Sequence, residues 1–296
     1  MTPKRTEKTM SRTNLATLVA HCPDRIGHVA AISSWIHERG GNILELDQHV
    51  DQSTERFFIR IVWDLTDFAL TPEPLRAAFD QDLATPMDMT WTLSLTQRPV
   101  RIALFVSKLG HCLWDLLARQ LAGEWNAEIP IVISNHETHR DTVEKMGYRF
   151  EHIPVTAETK QDAEAQQLAL LRENDIDIIV LARYMQVLSE SFVAHYPNRV
   201  INIHHSFLPA FAGAKPYHRA HERGVKIIGA TAHYVTPDLD EGPIIDQETT
   251  RVSHRDAVGD LIRTGRDLEK IVLSRAVFLH LNRRIAVFHN RTVVFT

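Results

Sequence analysis

Apolar and polar positions follow different rhythms in the two parts of the chain. Asn14 to His21 alternates as a half-buried strand does, and Gly27 to Arg39 spaces its apolar residues along one helical face. Asn42 to Asp51 and Glu55 to Asp64 read as paired strands, Thr71 to Ala84 as a helix opened by Pro72, and Met87 to Leu95 alternates again. That order, βαββαβ, is the ferredoxin-like arrangement.

After Thr96-Gln97-Arg98-Pro99, which reads as a short linker, strands and helices take turns. Val100 to Val106, Glu128 to Ser134, Arg149 to Ile153 and Ile176 to Leu181 are strand-like, and Cys112 to Leu121, Arg140 to Met146 and Gln161 to Asn174 are helical. Two further apolar strands follow, around Val200 to Ile203 and over Ile227 to Val235. Ala257 to Arg283 is a long amphipathic helix, and Arg284 to Val294 ends the chain with one or two short strands. Strands joined by helices predict an α/β fold with a mostly parallel, Rossmann-like sheet, which binds small molecules beyond the carboxyl ends of its strands. The expected division is an extended or disordered N-terminus over 1–13, a small domain over 14–95, a linker over 96–99 and a larger domain over 100–296.

Composition narrows the function classes. A chain of 296 residues with 44% apolar content suits two ordinary cores. With 33 basic against 37 acidic residues the net charge is −4, and no basic block is interleaved with aromatics, so nucleic acid is not the expected partner. The first residues lack an apolar signal region, and runs such as Ile176 to Ala182 are too short to span a bilayer, which predicts a cytoplasmic protein without a membrane partner. Cys22 and Cys112 are too few and too far apart for a disulfide framework or a metal cluster.

The candidate chemistry lies in Arg199 to Pro209 and in Leu239-Asp240-Glu241-Gly242-Pro243. If Val200, Ile201 and Ile203 form a buried strand, alternation puts Asn202 and His204 on one face, one pleat apart, where the strand ends. An amide donor beside an imidazole suits a reaction in which a carbonyl oxygen gains charge while a proton moves nearby. Asp240, on a Pro/Gly-punctuated loop after the next strand, is placed to pair with the imidazole or orient a water. Taken singly, each residue has a plainer reading: one of 17 histidines in a core, or an Asn or Asp capping a turn.

The whole string resembles the signature of the folate-dependent formyltransferase family, in which an Asn-x-His pair and an Asp in a Leu-Asp-x-Gly-Pro loop form the catalytic set. By that resemblance Asn202, His204 and Asp240 are catalytic. Tyr184, Met185, Gln186, Val187 and Leu188 would face Val235, Thr236 and Leu239 across a slot for the pterin, with His205 and His233 beside it. Further strings, His111-Cys112-Leu113, Leu181-Ala182-Arg183-Tyr184-Met185 and Gly213-Ala214-Lys215-Pro216-Tyr217-His218, are similar to the branch of the family that hydrolyses 10-formyltetrahydrofolate to formate and tetrahydrofolate. That activity feeds formate to purine synthesis and balances the one-carbon folate pool. The folate is then substrate, no cofactor is implied, and water attacks the formyl carbon while Asn202 stabilises the oxyanion. Glu190 departs from the family, where proline commonly follows the Leu-Ser pair.

The first domain, with Cys22-Pro23-Asp24-Arg25-Ile26-Gly27 and Gly40-Gly41-Asn42-Ile43, resembles an ACT domain, a module that often binds an amino acid. Asp24, Gly27 and Asn42 would then mark an effector site in a homo-oligomer. Free N–H groups at the helix start could hold a carboxylate, while Asp24 as an N-cap and Gly27 as a packing residue are the structural alternatives.

Missing motifs bound the alternatives. No Gly-x-Gly-x-x-Gly follows the strand at Val100, and no phosphate-binding P-loop or Gly-x-Ser-x-Gly elbow occurs. His37-Glu38, His221-Glu222 and His136-Glu137-Thr138-His139 all fail the zinc-protease spacing, so no metal is expected, although His204, His205, His218, His221 and His233 could still cluster. Transferases that formylate a phosphorylated amine carry a Gly-rich loop after the first strand. Here Ser107-Lys108-Leu109-Gly110-His111 offers one glycine, which favours water as nucleophile. A transferase acting on a small amine, or an amino-acid sensor with a degenerate second domain, are the remaining readings. Whether His205 assists or only packs stays open.

Overall fold

In the computed structural model the described residues are 14–96, 98–209 and 216–296. The extended N-terminus expected over 1–13 and the Gly213–Lys215 part of the family motif lie outside them. The chain divides into two units, one running to Arg98 and including Phe295–Thr296, the other Pro99–Val294.

The first unit runs β1 (Leu15–Pro23), α1 (His28–Glu38), β2 (Asn42–Asp51), β3 (Arg56–Asp64), α2 (Pro72–Phe79) and β4 (Thr90–Leu95). Its sheet has the order β2-β3-β1-β4, and every pairing is antiparallel. Period-2 alternation sends Ala16, Leu18, Ala20 and Cys22 of β1 and Phe57, Ile59, Ile61 and Trp63 of β3 to one face, where Ile32 and Ile36 of α1 and Leu75 and Phe79 of α2 cover them. The helix expected over Thr71 to Ala84 is α-helical only to Phe79; Asp80–Ala84 forms a π turn. Its Asp82 accepts hydrogen bonds from Trp35 Nε1 at 2.8 Å and Arg39 Nη2 at 2.9 Å, so the widened turn delivers a carboxylate to α1.

The second unit contains β5 (Val100–Val106), α3 (His111–Leu121), β6 (Ala127–Ser134), α4 (Arg140–Lys145), β7 (Phe150–His152), α5 (Lys160–Glu173) and β8 (Ile178–Leu181). It continues with α6 (Glu190–Ala194), β9 (Val200–His204), α7 (Pro216–Arg223), β10 (Ile227–Tyr234), β11 (Ile244–Arg251), α8 (Val258–Leu281), β12 (Ile285–Phe288) and β13 (Arg291–Val294). Seven strands form one sheet in the order β11-β10-β9-β8-β5-β6-β7. The five strands β5 to β9 are parallel to one another; β10 and β11 are antiparallel additions at one edge.

Near-continuous apolar strands signal burial on both faces, and the two faces separate cleanly. Ile102, Leu104, Val106, Ile201 and Ile203 pack with α3 and with Leu268, Val272 and Leu273 of α8. Ala103, Phe105, Ile179 and Val200 pack with Leu171 of α5 and Phe192 of α6. Three elements were not legible in the sequence. Strand β11 reads Ile-Ile-Asp-Gln-Glu-Thr-Thr-Arg and, as an edge strand, needs no apolar alternation. Helix α7 is mostly polar. Helix α6 is a single short turn capped by Ser189, whose hydroxyl accepts the Phe192 N–H at 3.2 Å. Glu190, the departure from the family pattern, opens α6 and leaves an ordinary capped helix start.

The strand carboxyl ends are stitched by side chains. Ser107 Oγ donates to Asn135 Oδ1 at 2.7 Å and accepts from the Met185 N–H at 3.0 Å, tying together the chain after β5, β6 and β8. Thr231 Oγ1 donates to the Ser206 carbonyl at 2.9 Å and accepts from the Leu208 N–H at 3.1 Å and Gln247 Nε2 at 3.0 Å, fixing how the chain leaves β9. No helix among the described residues is long and apolar enough to cross a membrane.

Candidate active site

Strand β9 carries the first two groups. Because Ile201 and Ile203 turn into the α3/α8 core, Asn202 and His204 face the opposite side, and both line a cavity of about 570 Å³ at the sheet's carboxyl edge. The antiparallel register of β9 against β10 sets Asn202 opposite His233, and a shift in the β10–β11 pairing falls between Ala232 and His233. The imidazole thereby meets the amide, with Asn202 Nδ2 3.2 Å from His233 Nε2. His233 Nδ1 lies 2.9 Å from the Tyr234 carbonyl, which can only accept; Nδ1 therefore carries the proton, and Nε2 of the neutral ring accepts from the amide. One amide N–H is held by His233, and the other remains for a ligand.

Asp240 arrives on the loop between β10 and β11. Gly242 lies against β10 so closely that a Cβ there would overlap the Tyr234 carbonyl oxygen, while the Tyr234 N–H donates to the Pro243 carbonyl at 2.9 Å. This close return forces the chain to turn sharply just before Gly242, and Asp240 takes a left-handed backbone conformation, φ 58°. Its Oδ2 stands 3.2 Å from His204 Nδ1, and its Oδ1 is 3.7 Å from His233 Nε2. The hydrogen bond from His204 holds the Asp240 carboxyl well below the usual carboxylate range against the opposing effect of burial. A carboxylate can only accept, so His204 Nδ1 is the protonated nitrogen. His204 Nε2 is buried and has no hydrogen-bond partner among the described residues.

The cavity lining also includes Tyr184, Met185, Gln186, Val187 and Leu188 from the chain after β8, and Val235, Thr236, Pro237, Asp238 and Leu239 from the chain after β10. Tyr184 contributes its ring: its hydroxyl accepts from Gln167 Nε2 at 3.0 Å inside the core, and burial pushes that phenol up to about 12. Met185, Val187 and Leu239 are more than half exposed, which leaves an apolar rim suited to a flat ring. Every residue expected to be catalytic or substrate-binding thus lines one cavity. Asp24, Gly27 and Asn42 belong to the first unit. The Asp24 N–H donates to the Glu55 carbonyl at 2.9 Å, Gly27 (φ 99°) precedes α1 without a side-chain cap, and Asn42 opens the edge strand β2.

Sequence reasoning missed a polar cluster in the same cavity. Glu269 of α8, 1% exposed, lies 2.7 Å from His111 Nε2, 2.9 Å from the donating Tyr217 hydroxyl and 3.4 Å from Arg183 Nε. Burial opposes its ionisation, but His111, Arg183 and Tyr217 outweigh it and keep the carboxyl below its ordinary range. The available signal was a glutamate on the buried face of α8, in step with Gly265, Val272 and Ala276. Ligand-type atoms of His111, Cys112 and Glu269 lie within 4.8 Å of one another, the one such grouping among the described residues. Burial raises the Cys112 thiol far above its normal range, and the Arg183 guanidinium already neutralises the carboxylate, so the donor set suits an ion pair better than a cation.

Fold and site together define a formyl transferase domain: the family model of that description matches residues 100–277. The chain is 54% identical to a formyltetrahydrofolate deformylase of Synechocystis over 95% of its length and 98% of that protein, and 50% identical to one of Bacillus subtilis over 94% and 93%. The crystal structure of a formyltetrahydrofolate deformylase from Pseudomonas syringae superposes with TM-score 0.93 at 42% identity, covering 97% of this chain and 96% of that one. A glycinamide ribonucleotide transformylase from Symbiobacterium toebii is similar over only 69% of this chain but 98% of its own, with TM-score 0.65 and 29% identity. The chain belongs to the formyltetrahydrofolate deformylase family.

Two outcomes follow from the Asp240 geometry. A carboxyl depressed in the folded state stabilises it fully above the ordinary carboxylate value of about 4, and that stabilisation is lost as pH falls toward the lower folded value. The destabilisation caused by Asp240→Asn, measured by urea unfolding, should therefore be constant from neutral pH to about pH 5 and shrink below about pH 4; a gap that widens in acid would contradict the pairing. Gly242→Ala should displace Asp240 and lower turnover on the order of 10²-fold with the secondary structure intact by circular dichroism. Parent-like turnover would show that the loop tolerates a Cβ.

Proposed function

We propose that this chain hydrolyses 10-formyltetrahydrofolate to formate and tetrahydrofolate. The convergence of an amide, an imidazole and a carboxylate at one wall of an apolar-rimmed cavity carries the reading. The pterin occupies the slot between 184–188 and 235–239, and the formyl group on N10 reaches Asn202. The N–H of Asn202 not engaged by His233 donates to the carbonyl oxygen as it becomes an oxyanion. Asp240 orients the water with its carboxylate. A carboxyl held so far below its ordinary range is a weak proton acceptor, so the proton lost by the water goes to His204. With the water oxygen bonded to the formyl carbon, that proton passes to N10, the C–N10 bond breaks as the carbonyl re-forms, tetrahydrofolate leaves, and the formic acid released loses its remaining proton to solvent as formate.

Water is the nucleophile on this reading because the loop after β5 is filled. Gly110 is walled in by the His139 and Trp114 side chains, 2.8 Å from where a Cβ would stand, so it serves packing and offers no open nest for a phosphate. The neighbouring His111 is turned to Glu269 and is thereby taken up in the cluster rather than offered to a phosphate. We read the first unit as an ACT-like regulatory and oligomerising domain, with an amino-acid effector between Asp24, Gly27 and Asn42. Its βαββαβ order and the uncapped start of α1 support this.

The assay supplies 10-formyltetrahydrofolate with no amine acceptor and measures formate. Release in step with tetrahydrofolate is expected, and turnover that appears only when an amine is added would replace hydrolysis with transfer. Asn202→Ala should lower kcat about 10²- to 10³-fold and leave KM within a few-fold. A variant keeping more than about a tenth of parent kcat would remove Asn202 from the oxyanion role.

A further inference from the structure

His204 and His205 are adjacent in sequence and stack, with ring centroids 5.1 Å apart and planes 26° from parallel. Two imidazoles this close compete for one proton. Their other contacts differ in kind. His204 Nδ1 faces a carboxylate, Asp240, whereas His205 Nδ1 faces a guanidinium, with Arg183 Nη1 at 2.6 Å. Arginine has donors only, so His205 Nδ1 must be the unprotonated nitrogen and its ring proton must sit on Nε2. The two rings therefore carry opposite tautomers.

Arg183 is itself held in place. It is buried, its backbone is left-handed at φ 65°, its carbonyl accepts the Ser107 N–H at 3.2 Å, and its Nε faces Glu269. Glu269 is fixed in turn by His111 at the start of α3 and Tyr217 of α7. Gly265, one turn before Glu269 in α8, leaves room for the Tyr217 ring, which a Cβ would overlap. Residues from α3, α7, α8 and the end of β8 thus converge on one nitrogen of His205.

We propose that His205 is a positioning residue: the Arg183–Glu269 pair locks its ring as the Nε2–H tautomer stacked on His204, so that of the two imidazoles only His204 accepts the proton lost by the attacking water. The inference rests on the hydrolytic reading above. The electrostatics around His205 agree. Burial, then the Arg183 charge, then His204 disfavour a cation there, and they outweigh Glu269 and Asp240, bringing His205 down to about 4. Tyr217 and His111 act on it through Glu269.

Nitrogen-15 NMR of histidine-labelled protein, with His205 assigned by its loss in His205→Gln, reads the tautomer directly. The parent should show the Nε2–H form of His205 unchanged from pH 8 to about 5.5. An Nδ1–H form, or a cation appearing in that range, would overturn the lock whether or not the protein releases formate. The charge-balanced pair of substitutions Arg183→Gln with Glu269→Gln avoids stranding a buried charge. In it the His205 titration should move up by at least about one pH unit, a tenfold change in proton affinity, with kcat falling in step and KM within about twofold. If His205 titrates in that variant while the pH profile of kcat stays at the parent's, the positioning role is wrong. Parent protein with the expected tautomer but no formate release would leave the lock standing and remove the hydrolytic reading.

Discussion

The site depends on one constraint, a partly buried carboxylate that must be kept charged beside an imidazole. Asp240 satisfies it because its loop has almost no conformational freedom. Gly242 lies against the Tyr234 carbonyl, Pro243 accepts the Tyr234 N–H, and Asp240 takes up the turn in a left-handed conformation. Strain of that kind costs on the order of 1–3 kcal/mol and persists only where the surroundings impose it. Here it carries Oδ2 to 3.2 Å from His204 Nδ1.

The scaffold explains why these groups meet. Parallel strands β8 and β9 end at the same edge, and the antiparallel β10 returns across it, so side chains far apart in sequence project into one space. Cross-strand register then makes His233 the partner of Asn202. Because His233 Nδ1 is committed to its own chain, the amide is oriented before any ligand arrives. A preset donor loses nothing to reorganisation when charge develops, which is the basis of oxyanion stabilisation. Behind this wall the Glu269 cluster holds Arg183 against His205.

Much of this was legible in the chain because it is local. Alternation placed the strands of the parallel sheet and set Asn202 and His204 on one face, since a strand's side-chain period is fixed by covalent geometry. Asp240 was legible through the Leu-Asp-x-Gly-Pro string, although its reach to His204 depends on a Gly242 contact that no periodicity reveals. His233 could be placed at the site but not given a partner, because its role follows from interstrand register. Strand β11 and the Asp80–Ala84 π turn escaped because one is polar on an exposed edge and the other differs from an α-helix by a single residue of hydrogen-bond spacing. The Glu269 cluster gathers residues 111, 217 and 269 from three helices and residue 183 from the loop after β8, and only the polar residue on the apolar face of α8 hinted at it.

The central claim is that Asn202, His204 and Asp240 surround a single carbon atom. The most direct measurement is the crystal structure of the protein bound to a hydrolysis-resistant 10-formylfolate analogue. The account predicts the formyl oxygen at about 3 Å from Asn202 Nδ2, with a water held by Asp240 on the open face of the formyl carbon. A formyl group directed toward Arg266, another residue of the cavity lining, with those three side chains out of reach, would contradict it.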